Sequence, residues 1–173
     1  MTPSELKHYL IHGASTNGLA NTLANGGICW WLVHDKGPVS WWGASNFGGD
    51  LLATGFILPF IVALIVIPLH NKKVRSRSLP TVSVDLMPRW IHWFLGMPQN
   101  VWLRGALFGL IGVLVFALPT LGILALLKVN EFSPAHYALF KGLWAGLVAF
   151  VLVMPMTALA MNTASADATI NRH

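Results

Sequence analysis

The stretch that decides the fold is residues 51–69, LLATGFILPFIVALIVIPL, which contains no charged side chain. A helix of this length is about as long as the hydrocarbon core of a bilayer is thick, roughly 30 Å. Residues 105–127 and 138–161 are also long and apolar, and Lys141 is their only charged residue. These three stretches predict an all-α integral membrane protein.

The composition agrees with this class. Of the 173 residues, 55% are hydrophobic and 10% are charged, and the mean hydropathy is +0.62. Soluble domains carry about 25% charged residues. We therefore interpret residues 1–173 as a single membrane domain without a soluble part.

Residues 9–33, YLIHGASTNGLANTLANGGICWWLV, are a fourth candidate span with an unusual polar pattern. Asn17, Asn21 and Asn25, called the asparagine row below, recur at every fourth position and share one helical face. A primary amide facing hydrocarbon costs several kcal/mol. The row must therefore face protein, water or a ligand.

A second row of small residues stands beside the asparagine row. Gly18, Thr22 and Gly26 form the spacing that lets helix backbones approach closely, and Trp30 and Trp31 end the segment like an interfacial aromatic belt. We therefore predict a four-transmembrane-helix bundle with spans at about 9–33, 51–69, 105–127 and 138–161.

The spans form two helical hairpins with hints of a weak parallel repeat. A shift of 87 residues brings Gly18 onto Gly105, Gly55 onto Gly142 and Pro68 onto Pro155. Repeats of two spans each share one topology and are related by an axis along the membrane normal. Matches among glycines and prolines also arise by chance, so the duplication is a hypothesis.

Most basic residues lie between the second and third spans. With Lys7 and Arg172 near the termini, the positive-inside rule predicts a multi-pass inner (plasma) membrane protein whose loop and two termini are cytoplasmic. The bilayer is the partner expected of the loop cations, with no nucleic acid. Those expected to contact anionic lipid are Lys72, Lys73, Arg75, Arg77 and Arg89; Arg104 completes the basic set.

Two connecting segments are predicted to lie at the membrane surface. Residues 88–98 are bounded by prolines and predict a short interfacial helix in the cytoplasmic loop, with Trp90, Trp93 and Phe94 dipping into the bilayer. Residues 37–50 are rich in glycine and aromatic residues and predict a cap on the opposite surface.

The candidate functional residues gather near that opposite surface. Asp50 opens the second span with Thr54 one turn later, and Lys141 lies at a similar depth in the fourth span. An acid and a base at that depth are expected to pair. The pair is either structural, with Asp50 also capping its helix, or part of a ligand or ion pathway that continues along the asparagine row. Residues expected to gather around the pair are His34, Asp35, Glu131 and His136.

Two prolines inside spans bear on the asparagine row. Pro59 cannot donate to the carbonyl of Gly55, and Pro119 cannot donate to that of Val115. We expect the amides of Asn21 and Asn25 to bind these carbonyls. Such bonds serve either a locked bundle or a polar site at mid-depth.

No sequence motif indicates catalysis or a cofactor. The single cysteine, Cys29, excludes an internal disulfide and a CxxC relay. None of the seven histidines lies in the middle of a span, which argues against haem ligation, and no metal site or enzyme motif is present. We therefore expect no cofactor and lean against an enzyme.

Three functions are compatible with this pattern. The first is transport or permeation of an ion or small molecule, by a homo-oligomer because four spans leave little room for a pathway. The second is a non-catalytic subunit or assembly factor of a larger membrane complex, docking through Gly142 and Gly146. The third is an enzyme acting on a lipid or quinone through His136, Asp50 and Lys141.

Overall fold

The computed structural model describes the backbone of residues 2–170 and the side chains of residues 2–162, so Arg172 lies outside the described residues. The described chain is mostly helical. Its helices are α1 (Pro3–Val33), α2 (Phe47–Arg75), α3 (His92–Leu95), α4 (Val101–Ile111), α5 (Leu118–Leu126) and α6 (Pro134–Ile170), with a π-helical segment, Gly112–Ala117, joining α4 to α5. Two short strands, β1 (Val39–Ser40) and β2 (Glu131–Phe132), pair antiparallel.

Three helical segments are long and apolar enough to cross a membrane, which indicates a membrane protein. They are Phe47–Arg75, Val101–Leu126 and Pro134–Asn162. Each corresponds to one of the predicted apolar spans; two extend beyond the predicted bounds at both ends, and the third begins at Val101 and ends one residue before the predicted end. The helix predicted over 9–33 is also present and begins earlier, at Pro3. Its asparagines, serine and threonines lower its hydropathy, so α1 is not among these three segments and its crossing stays a prediction.

The centre of the molecule is the pair α2 and α6, which begin at the same end. Helix α1 packs antiparallel on α6, and α4 packs antiparallel on α2. We call the end with β1, β2 and the starts of α2 and α6 the strand end. The opposite end, with the start of α1 and residues 76–100, is called the loop end.

This pairing of elements is what two equivalent hairpins around a two-fold axis would give. Contact between α1 and α6 corresponds to contact between α4 and α2, and β1 pairs with β2 across the middle. The shift of 87 residues also relates Asp50 to Tyr137 and Thr54 to Lys141. The pattern of contacts between helices therefore agrees with the predicted repeat, although duplication itself stays a hypothesis.

Small residues allow the close approach of α1 and α6. A Cβ atom added at Gly142 would lie 2.8 Å from the carbonyl oxygen of Thr22, and one added at Gly146 would lie 2.8 Å from that of Gly18. The small-residue face of α1 is therefore in tight contact, as its spacing predicts. The prediction that Gly142 and Gly146 dock a partner helix is wrong, because α1 of the same chain covers them.

The loop end contains the short helix predicted within residues 88–98. A 3₁₀ turn, Arg89–Ile91, leads into α3; Ile91 is fully buried, and Phe94 stacks on Phe108 with ring centroids 5.5 Å apart. Trp93 is 89% exposed. Arg104 departs from the expected surface set: it is 2% exposed, and its Nε donates to the carbonyl of Pro98 at 2.5 Å.

The strand end is more ordered than the predicted cap over residues 37–50. Strand β1 anchors it to β2, and the Trp41 indole donates to the carbonyl of Val129 at 2.7 Å. Helix α2 begins at Phe47 and its N-cap is Asn46, whose side chain accepts from the Gly49 amide. The prediction that Asp50 caps α2 is therefore wrong; Asp50 lies in the first turn, where a carboxylate is favoured by the helix dipole.

Candidate functional site

A groove of about 460 Å³ runs between α1 and α2. It forms because both helices pack on α6 and make little contact with each other. The side chains of Asn17, Asn21 and Asn25 line it from α1, and Asp50 and Thr54 line it from α2. Five of the seven residues proposed for the pathway thus share one cavity.

Each carboxamide of the asparagine row bonds to its own helix. The Nδ2 atoms of Asn17, Asn21 and Asn25 donate to the carbonyl oxygens four residues earlier, at 2.9, 2.9 and 3.1 Å. The expected bonds to the carbonyls of Gly55 and Val115 are therefore wrong. A side chain of this length reaches its own preceding turn more easily than a neighbouring helix.

The groove consequently presents the amide oxygens of the asparagine row together with the second N–H of each amide. Only the nitrogen of a primary amide can donate to a carbonyl, so these bonds fix the orientation of each amide. The Oδ1 atoms receive no hydrogen bond within the described part of the chain, and the three residues that carry them line the groove. Asp50 adds a carboxylate to the same lining.

The α2 wall of the groove is largely apolar. Thr54 is half-buried, whereas Ile57, Ile61 and Ile65 are 51, 47 and 60% exposed and stand one turn apart. We call these three residues the isoleucine ridge. The groove is therefore polar on one side, apolar on the other and open along its length.

At the strand end the groove meets a bonded trio of side chains. The Nζ of Lys141 lies 2.5 and 2.6 Å from the two carboxylate oxygens of Asp50, and the Tyr137 hydroxyl donates to the same carboxylate. The side chains of Lys141 and Asp50 are only 11% and 31% exposed. The pairing expected from the sequence is present, and neither charge is left alone.

A second cavity, of about 300 Å³, lies on the other side of this trio. Cys29, Tyr137, Lys141 and Asp50 line it, together with residues of the 44–49 segment. Asp50 lines both cavities and so stands at their boundary.

His136 does not join the site. It is exposed, and its Nδ1 lies 2.8 Å from the hydroxyl of Ser133 at the start of α6. His34, Asp35 and Glu131 are also exposed and line neither cavity. The expected cluster around the ion pair is therefore wrong, because these residues belong to loops and helix ends that turn outward.

Tyr137 is the site residue that sequence reasoning missed. Its hydroxyl completes the coordination of Asp50, and its side chain is 1% exposed. The signal that could have found it is the 87-residue shift, which relates Tyr137 to Asp50. Positions equivalent under a two-fold arrangement are candidates for contact at the axis.

Among residues 2–162, no group of three or more His, Cys, Asp or Glu side chains is arranged to hold a metal ion. Comparison of the chain with protein-family models, with curated proteins and with solved structures gives no match. Function must therefore be argued from the groove and the trio alone.

Proposed function

We propose that this chain is a four-span inner-membrane protein that moves a small cation or hydrogen-bond-donating solute along the groove between α1 and α2. The observation that carries the proposal is the continuity of the lining. The asparagine row lines the groove along α1. Asp50 lines both the groove and the cavity at the strand end. Loop cations, including Lys72 and Arg89, would place the loop end and both termini in the cytoplasm.

The interior hydrogen bonds of α1 support its assignment as the fourth span. The asparagine amides bond within the helix, and the hydroxyl of Thr22 donates to the carbonyl of Gly18 at 3.0 Å. The outer face carries Leu19, Leu23 and Ile28, which are 64, 67 and 58% exposed. A helix that bonds one N–H of each asparagine internally and has apolar residues on its outer face is compatible with a membrane span whose polar face is covered.

The chemistry of the lining supports a solute that donates hydrogen bonds. Carboxamide oxygens and a carboxylate stabilise cations and donor groups such as ammonium, and they repel anions. Lys141 pairs with Asp50 at 2.5 Å, so this pair adds no net charge beside the groove. The amide and carboxylate oxygens of the lining therefore favour a solute that donates hydrogen bonds, whether neutral or cationic.

The open side of the groove supports a homo-oligomer. A polar pathway cannot remain open to lipid, because unpaired acceptors in hydrocarbon are costly. The isoleucine ridge, Ile57, Ile61 and Ile65, presents one exposed residue per turn beside the opening. A helix of a second copy packed on this ridge would close the groove.

The same ridge favours a second candidate function, a non-catalytic subunit of a larger membrane complex. In that case a helix of another protein would lie in the groove and donate hydrogen bonds to the asparagine row. The two candidates differ in one respect, since only transport requires water in the closed groove. A lipid or quinone enzyme is not proposed, because His136 lies away from the ion pair.

Flux through liposomes reconstituted with the purified chain tests the proposal. Light scattering would follow the entry of urea, glycerol and ammonium, and Asn21→Leu would be compared with Ser15→Leu. Ser15 is exposed on α1 and lines no part of the groove. We expect wild-type flux of at least one solute above that of empty liposomes, a loss of about tenfold in Asn21→Leu, and no loss in Ser15→Leu.

Size-exclusion chromatography of each variant separates lost flux from lost folding. Equal flux in wild-type and protein-free liposomes for all three solutes would overturn transport. Folded Asn21→Leu with undiminished flux would exclude the groove as the route. Co-purification of a stoichiometric membrane partner, lost in Ile61→Asn, would instead favour the subunit function.

A further inference from the structure

A separate cavity of about 580 Å³ opens at the loop end, away from the groove. It lies between the first turns of α1, residues 86–90 and the second half of α6. Its walls are almost entirely apolar and include Leu10, Met87, Trp90 and Phe150. The volume falls within the range of roughly 300–1,000 Å³ typical of small-molecule sites.

One cation stands at the rim of this cavity. Lys7 is the single charged residue among those that line it, and its side chain is exposed. Arg89 follows the lining residue Pro88 and is exposed as well. The nearest acid on α1, Glu5, does not line the cavity; hydrogen bonds from Thr2, first from its backbone N–H, lower the pKa of this carboxyl.

We propose that this cavity holds an acyl chain of one anionic phospholipid, whose phosphate pairs with Lys7. The apolar walls match an acyl chain, and the cation at the rim matches the headgroup charge. The inference rests on the membrane insertion proposed above but not on transport. It differs from the diffuse contact expected of the loop cations, because it names a cavity and one lysine.

The neighbouring aromatic residues place the cavity at the depth this ligand requires. Trp90, which lines it, is 44% exposed, and Trp93 is 89% exposed on the same short helical segment. Exposed tryptophans of membrane proteins concentrate at the level of the headgroups. A lipid with its phosphate at Lys7 would have its acyl chain directly below that level.

The test is lipid retention by the full chain in detergent, measured by native mass spectrometry after addition of phosphatidylglycerol or phosphatidylcholine. We expect one phosphatidylglycerol per chain and about fivefold weaker retention of phosphatidylcholine, because a basic residue near the headgroup contributes about 1 kcal/mol. Lys7→Gln should weaken phosphatidylglycerol retention about fivefold. Lys128→Gln, an exposed lysine after α5 that neither lines the cavity nor belongs to the loop cations, is the matched control and should leave retention unchanged.

A second pair of variants tests the acyl chain. Ile11 lines the cavity and is 40% exposed, so Ile11→Trp should fill the space and lower retention of both lipids. Leu19→Trp, on the outer face of α1, should leave retention unchanged. The proposal is overturned if wild type retains neither lipid, if Lys7→Gln and Lys128→Gln behave alike, or if Ile11→Trp retains lipid like wild type. Flux in liposomes is a separate measurement, so a failure of transport leaves this test intact.

Discussion

Replacing Gly112 with alanine should disrupt the contact in which an added Cβ comes nearest to another backbone among the glycines of the described chain. A Cβ atom at Gly112 would lie 2.0 Å from the carbonyl oxygen of Gly55 and 2.8 Å from Cγ of Pro59. The backbone of Gly112 is right-handed helical, with φ −57° and ψ −41°, so alanine introduces no conformational strain of its own. The effect therefore isolates the steric contact between α2 and the start of the π-helical segment.

The magnitude follows from which atoms must move. The carbonyl of Gly55 would have to retreat by about 1 Å to reach the 3.0 Å separation below which Cβ contacts are essentially absent. It belongs to a backbone, and the second obstacle is a proline ring, so neither can rotate away. Overpacking costs typically 1–3 kcal/mol, and alanine regains about 1 kcal/mol of helix propensity. Because the two effects oppose each other, we expect Gly112→Ala to lower the free energy of unfolding by up to about 2 kcal/mol.

The matched control is Gly122→Ala in α5, where an added Cβ meets no atom within 4 Å. This variant should be neutral or gain up to about 1 kcal/mol. Unfolding would be followed by circular dichroism during titration of mixed micelles with sodium dodecyl sulfate. Equal midpoints for Gly112→Ala and Gly122→Ala would refute the contact between Gly55 and Gly112, and with it this packing of α2 on α4.

Two further predictions concern other contacts of the bundle. Gly142→Ala should lower stability in the same titration by about 1–2 kcal/mol, because its Cβ would lie 2.8 Å from the Thr22 carbonyl, whereas Gly27→Ala, with nothing within 4 Å, should not. A stable Gly142→Ala would argue against the close packing of α1 on α6. Asp50→Asn and Lys141→Met should each destabilise, and the double variant should lose less than their sum by about 1–3 kcal/mol. Additive losses would argue against a net interaction between these two side chains.

The sequence predicts the long helices because their apolar residues outnumber everything else over 18 residues or more. It predicts their ends less well, since the end signals are short and local. Helix α6 begins with Pro134 at its first position, and α2 continues through Lys72 and Lys73 into a polar last turn. Proline at a helix start and cations at a helix end both stabilise the helix, but the hydropathy of a segment does not reveal them. Strands of two residues, such as Val39–Ser40, have no periodicity to detect.

Some features of the candidate site could likewise be predicted from the sequence, and others could not. The spacing of the asparagine row predicts a shared face, and the structure brings those side chains into one groove. Spacing cannot predict which partner each amide selects. A bond to the preceding turn of the same helix competes with one to a neighbouring helix, and the local bond prevails at all three positions. The depth shared by Asp50 and Lys141 was sufficient to predict their pairing, because both charges need a partner.

The asparagine row can be compared with the corresponding positions of the second hairpin. Under the shift of 87 residues, its positions correspond to Arg104, Phe108 and Gly112 on α4, and all three are buried. The equivalent face of the other half is thus closed by packing. These positions are therefore closed by packing in one hairpin and line a groove in the other, a difference that favours the proposed pathway over a purely structural row.

The ion pair also depends on a difference between corresponding positions of the two hairpins. Identical carboxylates at the two positions represented by Asp50 and Tyr137 would repel each other across the axis. Here Asp50 occupies one position, while Tyr137 and the nearby Lys141 supply donors from the other helix. The charge is satisfied and still borders both cavities. This asymmetric trio, at the mouth of a groove that is polar on its α1 side, is the arrangement we would expect if the chain provides the proposed pathway and not only a packed bundle.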